Sequence, residues 1–345
     1  MPVPPSSAAQ PAQLWPPQNG VTVDVETLRG LAERMLVTRV LDTEAVRWQR
    51  QGILPAFPPA IGQEAAQVGS AMALDRARDM AFITYRDHGV VVGLDSDLTD
   101  YMGSHLALWN GGFADPNKVR HSPLQAVVGA TALHAMGWAY AQKLDGTGGA
   151  AIAYFGDGAS SQGDVHEAMN FAAVSKSPVV FFVQNNGWSL STPLDLQVAG
   201  GSVAARASGY SMPSMRIDGD DVGEVYAATQ IALEHAREHG PVVIEAFTYR
   251  RGPHATSDDP SRYRSLEEER ALGPDPIDVA RQLVADEAWW AEAEQRAEQA
   301  VDAVRVQMQS PRTIDGNDMF DYVFQEKTPQ LVKQQEQWRE ETDLD

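Results

Sequence analysis

The sequence contains no cysteine. Disulfides and thiolate metal sites are therefore excluded, and a reducing compartment fits. A long apolar run is also lacking: no stretch reaches the ~20 residues that a membrane-spanning helix needs. The first residues, Met1-Pro2-Val3-Pro4-Pro5, carry neither the basic nor the apolar block of a signal peptide. Positive charge is scarce. Lys and Arg number 27 against 47 Asp and Glu, a formal net charge of -20. That balance argues against nucleic acid or an anionic membrane surface as the main partner. A soluble cytoplasmic protein is expected.

The 345 residues suffice for one large domain or two modest ones. Residues 1–20, rich in Pro, Gln, Ala and Ser, read as a flexible arm. Asp24 is placed to cap a helix running to about Gln51, and a second helix starts near Gly62-Gln63-Glu64. Ala81-Phe82-Ile83-Thr84 reads as a strand, Leu98 to Leu108 as a helix, and Ala126 as the opening of a helix that reaches about Leu144. Later come a strand at Met215-Arg216-Ile217, a helix from Val222 to Glu238 and a strand from Val242 to Tyr249. Helices are expected at Leu266–Leu272, from Pro276 to about Glu287, and at Ala288–Gln309. The pattern predicts an α/β fold: a mainly parallel sheet flanked by helices, with helical N- and C-terminal extensions. Its parts are an arm at 1–20, an α/β domain at 21–310 with its core at 81–250, and a helical tail at 311–345. No internal repeat is seen, and only one strand-helix-strand unit is recognised.

That unit organises the chain. Ala151-Ile152-Ala153-Tyr154-Phe155 and Val179-Val180-Phe181-Phe182-Val183 are short apolar runs, the pattern of buried strands. Between them, Val165, Ala168, Met169 and Ala172 share one helical face. Strand, helix, strand is a parallel crossover, and ligands in such sheets sit at the carboxyl ends of the strands. Gly156-Asp157-Gly158 ends the first strand and Asn185-Asn186 the second, so Asp157 and Asn186 are expected side by side. Carboxylate and amide oxygens are hard ligands suited to magnesium, which shares its oxygens with phosphates and water. Glycines allow close backbone approach, and a following helix aims free N–H groups at an anion. The combination describes a magnesium-bridged diphosphate site. The bland alternative is a pair of tight turns.

Gly156-Asp157-Gly158 through Asn185-Asn186 also matches the thiamine-diphosphate motif. With Gly187-Trp188-Ser189-Leu190-Ser191-Thr192-Pro193, the segment resembles the alpha subunit of the decarboxylating component of 2-oxoacid dehydrogenase complexes. The likeness runs from about Leu28 to the C-terminus. It implies a thiamine-diphosphate-binding fold with thiamine diphosphate and magnesium as cofactors. It implies oxidative decarboxylation of a 2-oxo acid, with acyl transfer to the lipoyl domain of an acyltransferase component. The implied assembly is two alpha and two beta chains.

The resemblance also implies site residues. Metal ligands would be Asp157, Asn186 and the carbonyl of Trp188. Cofactor contacts would be Tyr85 and Arg86, the backbone at Ala126 and Val128, and Gly156, Asp157, Gly158, Ala159, Asn186, Trp188 and His254. His254, in the Gly-Pro loop after the last strand, would be catalytic, as an imidazole titrating near neutrality. Phe57 is a candidate pocket wall, and either His105 or His121 a second active-site histidine. Asp164 and Glu167 match an acidic path between active sites. Some relatives carry a regulatory phosphoserine after the loop histidine; Ala255 excludes it here. The tail around Phe324-Gln325-Glu326-Lys327 and the run Ser257-Asp258-Asp259 lean toward the branched-chain members.

Two other readings compete. A non-catalytic paralogue predicts loss of Asp157, Asn186 or His254, and all three are present. A nucleotide-binding Rossmann protein wants Gly-x-Gly-x-x-Gly, and Gly156-Asp157-Gly158-Ala159-Ser160-Ser161 lacks the last glycine.

Overall fold

The computed structural model describes residues 22–106, 115–265, 267–268, 272–310 and 315–342. Helix α1 (Val25–Arg50) begins where expected, because Asp24 is extended and its carboxylate accepts the Thr27 amide. Helix α2 (Glu64–Met72) follows the Pro-broken stretch. Strand β1 (Met80–Phe82) leads to α3 (His88–Gly93), α4 (Leu98–His105) and α5 (Pro116–Val119). The end of the expected Leu98–Leu108 helix lies outside the described residues, as does most of Leu266–Leu272.

Helix α6 (Ala130–Asp145) starts four residues later than expected. Gly129 interrupts with a positive φ of 87°, and a Cβ there would come within 2.9 Å of the Gln162 Cβ. Then come β2 (Ala151–Gly156), α7 (Gly163–Ser175) and β3 (Val179–Asn185). A two-residue hairpin, β4 (Trp188–Ser189) and β5 (Thr192–Pro193), and a short α8 (Leu194–Gln197) follow. Strand β6 (Ser214–Asp218), α9 (Val222–His239) and β7 (Val242–Phe247) complete the sheet.

The sheet has five strands in the order β1-β2-β3-β7-β6, every pair parallel. A second strand-helix-strand unit is therefore present, contrary to the expectation from sequence: α9 joins β6 to its parallel neighbour β7. The direction of travel explains where the helices lie. The chain moves one way from β1 to β3 and the opposite way from β6 to β7. A right-handed crossover then puts α9 on the opposite face from α6 and α7.

Each strand feeds both faces by alternation. Ile152, Tyr154, Val180 and Phe182 pack with α1, α2 and α9. Ala151, Ala153, Phe155, Phe181 and Val183 pack with α6 and α7. Burial on both faces is why these strands read as unbroken apolar runs. The C-terminal helices Pro276–Leu283, Glu287–Ala300 and Asp302–Gln309 close over α1, burying Trp290, Ala293 and Val304 in the first core. The expected single helix from Ala288 is thus two, broken at Val301, and it starts at Glu287 because Asp286 accepts the Trp289 amide. A tail helix spans Pro329–Thr342. Among the described residues, no helix is long and apolar enough to cross a membrane.

Candidate active site

The carboxyl ends of four parallel strands meet at one edge of the sheet. They deliver Thr84 to Asp87 after β1, Asp157 after β2, Asn186 after β3 and Arg250 after β7. A cavity of about 400 Å³ opens there. It is lined by Tyr85, Arg86, Val128, Gly156, Asp157, Gly158, Ala159, Asn186, Trp188 and His254, among others. Sequence positions more than 160 residues apart thus converge on one wall, since Arg86 touches His254.

Asp157 and Asn186 are neighbours, as the strand ends predicted. The Asn186 backbone N–H donates to Asp157 Oδ1 at 3.3 Å. The second oxygen, Asp157 Oδ2, is buried and has no hydrogen-bond partner among the described residues. Burial raises the Asp157 carboxyl to about 6. Asn186 Oδ1 accepts the Trp188 amide at 3.2 Å, and its Nδ2 donates to Gln63 at 2.9 Å. The paired Asn185 has a different job. Its Nδ2 binds the buried Glu245 carboxylate at 2.8 Å, which ties β3 to β7.

Gly158 is glycine for a reason internal to the protein. A Cβ there would sit 2.3 Å from Ser189 Oγ in the β4–β5 hairpin. The segment after Asp157 is a tight 3-10 turn, Gly158–Ser161, and α7 begins only at Gly163. The Trp188 ring is also engaged: Nε1 donates to Glu268 at 2.8 Å, and the ring lies 5.3 Å from Tyr263.

Arg86 is buried at 6 % exposure and organises the opposite wall. Its Nη1 donates to the Pro59 carbonyl at 2.6 Å, and its Nη2 to the His254 carbonyl at 2.8 Å and to His254 Nδ1 at 3.2 Å. His254 is half-buried. Desolvation, with the like charges of Arg86 and Arg250, pushes its imidazole down to about 4. The expectation of a ring titrating near neutrality is corrected: a low-dielectric wall with two guanidinium neighbours disfavours the cation.

Several candidates lie elsewhere. Ala126 is exposed and does not line the cavity, although Val127 and Val128 do. Phe57 is fully buried behind the wall, stacked on His88 at 4.7 Å. Its backbone nevertheless anchors the His254 loop, since the Phe57 carbonyl accepts the Thr256 amide at 3.0 Å. His105 packs against Phe57, His88 and Tyr101, away from the cavity lining. His121 is tied to Ser122 and Ser96 beside β1. Asp164 and Glu167 are exposed on α7.

Gln63, Gln184 and Arg250 are among the lining residues that the sequence reading did not single out. Arg250 is 1 % exposed. It donates to the carbonyls of Gly252 and Leu190 and forms no ion pair among the described residues. An arginine directly after a strand end was an available signal. The glutamines gave none, because Gln is common in turns and on helix surfaces.

The family model described as "Dehydrogenase E1 component" matches residues 32–309. A protein of Mycobacterium tuberculosis named 3-methyl-2-oxobutanoate dehydrogenase subunit alpha is 45% identical over 92% of this chain and 88% of its own length. The mouse (Mus musculus) mitochondrial 2-oxoisovalerate dehydrogenase subunit alpha is 36% identical over 88% of this chain and 72% of its own. The pyruvate dehydrogenase E1 component subunit alpha of Mycoplasma genitalium is 33% identical over 94% and 92%. The sheet, the clustered strand ends and a match across most of the length agree: the chain belongs to the dehydrogenase E1 component family.

Proposed function

We propose that this chain is the alpha subunit of a branched-chain 2-oxoacid dehydrogenase, binding thiamine diphosphate through magnesium. One observation carries the cofactor reading. The cavity wall holds a buried carboxylate oxygen with no protein donor, Asp157 Oδ2, and two buried arginines, Arg86 and Arg250, with no ion pair among the described residues. A cation bridged to an anion would satisfy both, because an unpartnered buried charge is costly. The donor set fits: Asp157 and Asn186 offer hard oxygens, and magnesium completes its shell with phosphate and water.

In this reading Asp157, Asn186 and the Trp188 carbonyl hold magnesium. Arg86, Arg250 and Tyr85 hold the diphosphate, with Gly156, Gly158, Ala159 and Val128 shaping the walls. When bound, thiamine diphosphate supplies the electron sink that decarboxylation of a 2-oxo acid requires. The protein's part is position and protons. His254 is neutral and accepts from Arg86 at Nδ1, so its ring proton sits on Nε2. That N–H serves as a donor to the substrate carboxylate or to the acyl group on its way to a lipoyl arm. A beta subunit completes the site in a two-alpha, two-beta assembly, and the lipoyl domain of the acyltransferase component is the acyl acceptor.

The substrate class rests on identity, 45% to a relative named for 3-methyl-2-oxobutanoate and 33% to one named for pyruvate. Two measurements test the proposal. Calorimetry on the assembled enzyme should show magnesium-dependent thiamine diphosphate binding that collapses in Asp157→Ala while the fold survives; unchanged affinity in that variant refutes the site. Decarboxylation over a panel of branched-chain 2-oxo acids and pyruvate should favour the branched acids; a preference for pyruvate overturns the substrate class.

A further inference from the structure

Gln63, Gln67, Gln184 and Asn186 are primary amides buried in and behind the cavity wall. An amide presents an acceptor on one side and two donors on the other, and its shape does not tell them apart. Its partners do. Gln67 has backbone partners on both sides. Its Oε1 accepts the Gly89 amide at 2.8 Å, and its Nε2 donates to the Arg86 carbonyl at 3.1 Å. Neither partner can reverse its role, so the sense of Gln67 is fixed.

That sense propagates. Gln67 Nε2 also donates to Gln184 Oε1 at 2.9 Å. Gln184 must then turn its nitrogen away, and Nε2 donates to Asp87 Oδ1 at 2.6 Å. Gln63 meets the same Gln184 oxygen with Nε2 at 3.0 Å. Its own oxygen is left to accept Asn186 Nδ2 at 2.9 Å. Asn186 therefore keeps its oxygen on the far side, where the Trp188 amide takes one lone pair and the second remains. Reversing Asn186 would set oxygen against oxygen at Gln63 and N–H against N–H at Trp188.

We propose that Gln67, Gln184 and Gln63 form a one-way amide relay that locks the Asn186 oxygen toward the diphosphate cavity, which makes Gln63 a positioning residue for the cation. The proposal rests on the magnesium reading above. Gln63 itself does not need to touch the metal. Its effect is to remove the half of Asn186 orientations that would point an NH2 group at a cation.

The test uses the alpha chain assembled with its beta subunit and reads the magnesium concentration that half-saturates thiamine diphosphate binding. Gln63→Met keeps the length and removes both polar contacts. It should raise that concentration about tenfold and leave cofactor affinity at saturating magnesium within about threefold, with a modest drop in the ligand-free melting temperature from the lost buried hydrogen bonds. A folded Gln63→Met enzyme with a magnesium requirement within twofold of wild type overturns the relay. If Gln63→Met does not fold, Gln184→Met, which strips Gln63 of its acceptor, replaces it with the same expected rise and the same overturning result. A wild-type enzyme that binds thiamine diphosphate without regard to magnesium sinks the underlying metal reading instead.

Discussion

Arg86 holds His254 by both the ring and the backbone: one guanidinium nitrogen lies 3.2 Å from Nδ1 and 2.8 Å from the carbonyl oxygen. A guanidinium only donates, so this contact selects the tautomer and places the loop in one stroke. Arg86→Ala should release both. The His254 ring would lose a neighbouring positive charge, and its pKa should rise from about 4 toward the ordinary histidine range. Histidine-labelled NMR titration checks this, and a His254 pKa that stays put or falls would contradict it.

His254→Ala is expected to lower overall turnover by about 100-fold, roughly 2.7 kcal/mol of barrier. Magnesium-dependent cofactor binding should stay within about threefold, because no described contact joins His254 to Asp157 or Asn186. Steady-state kinetics beside calorimetry separate the two effects. A turnover loss below about threefold would remove His254 from the chemistry.

Asp42, buried under the Phe57 to Ala60 segment, gives a pH prediction. Its carboxyl accepts the Ala60 amide at 2.7 Å. Burial, aided by Glu64 and opposed by the Ala60 bond and the charges of Arg86 and Arg39, raises it to about 7 from an ordinary 3.8. The folded state then binds a proton that the unfolded state has lost between about pH 4 and 7. Stability from this group is full below about 4 and falls away as pH rises through about 7. Asp42→Asn keeps the acceptor and removes the charge. It should stabilise the protein at pH 8 by on the order of 2 kcal/mol, with the advantage gone by about pH 4. Denaturant melts at the two pH values decide; equal stability at pH 8 would show that the carboxylate is better solvated than its burial implies.

The purified alpha chain should not decarboxylate any 2-oxo acid, even with thiamine diphosphate and magnesium saturating. The cavity lies at one sheet edge and, among the described residues, has no buried acid besides Asp157 and Asp87 in its lining. The carboxylic acid that activates the far end of the cofactor is expected from the beta subunit. Adding that partner in equal number should restore turnover. Robust turnover by the isolated chain would mean that an internal carboxylate, such as Glu64, does the activation.

The parts of this protein that were legible in sequence are the local ones. Asp157 and Asn186 follow apolar runs within a few residues, so strand ends and polar clusters could be read together. Gln63 reaches its role through contacts 121 and 123 positions away, with Gln184 and Asn186, and nothing around it announces them. The second crossover was missed for another reason. Its strand, helix and strand were each read, but β6 lies at the sheet edge with alternating burial, so Ser214–Asp218 has no apolar run to mark it as the parallel neighbour of β7. His254 was legible as a loop histidine. Its depressed pKa was not, because the burial that chiefly causes it, and the Arg86 charge that adds to it, arise only through tertiary packing.

Strands β2 and β3 are paired in register through Gly156 opposite Gln184, with Asp157 and Asn186 just beyond. The separation of those two side chains is therefore inherited from the ladder. The α7 crossover that joins them in sequence does not set it. Chains with a longer or shorter crossover would present the same pair at the same distance. A database pattern that fixes the number of residues between Gly-Asp-Gly and Asn-Asn would pass such proteins by, whereas one that asks only for two adjacent parallel strands ending in those residues would find them.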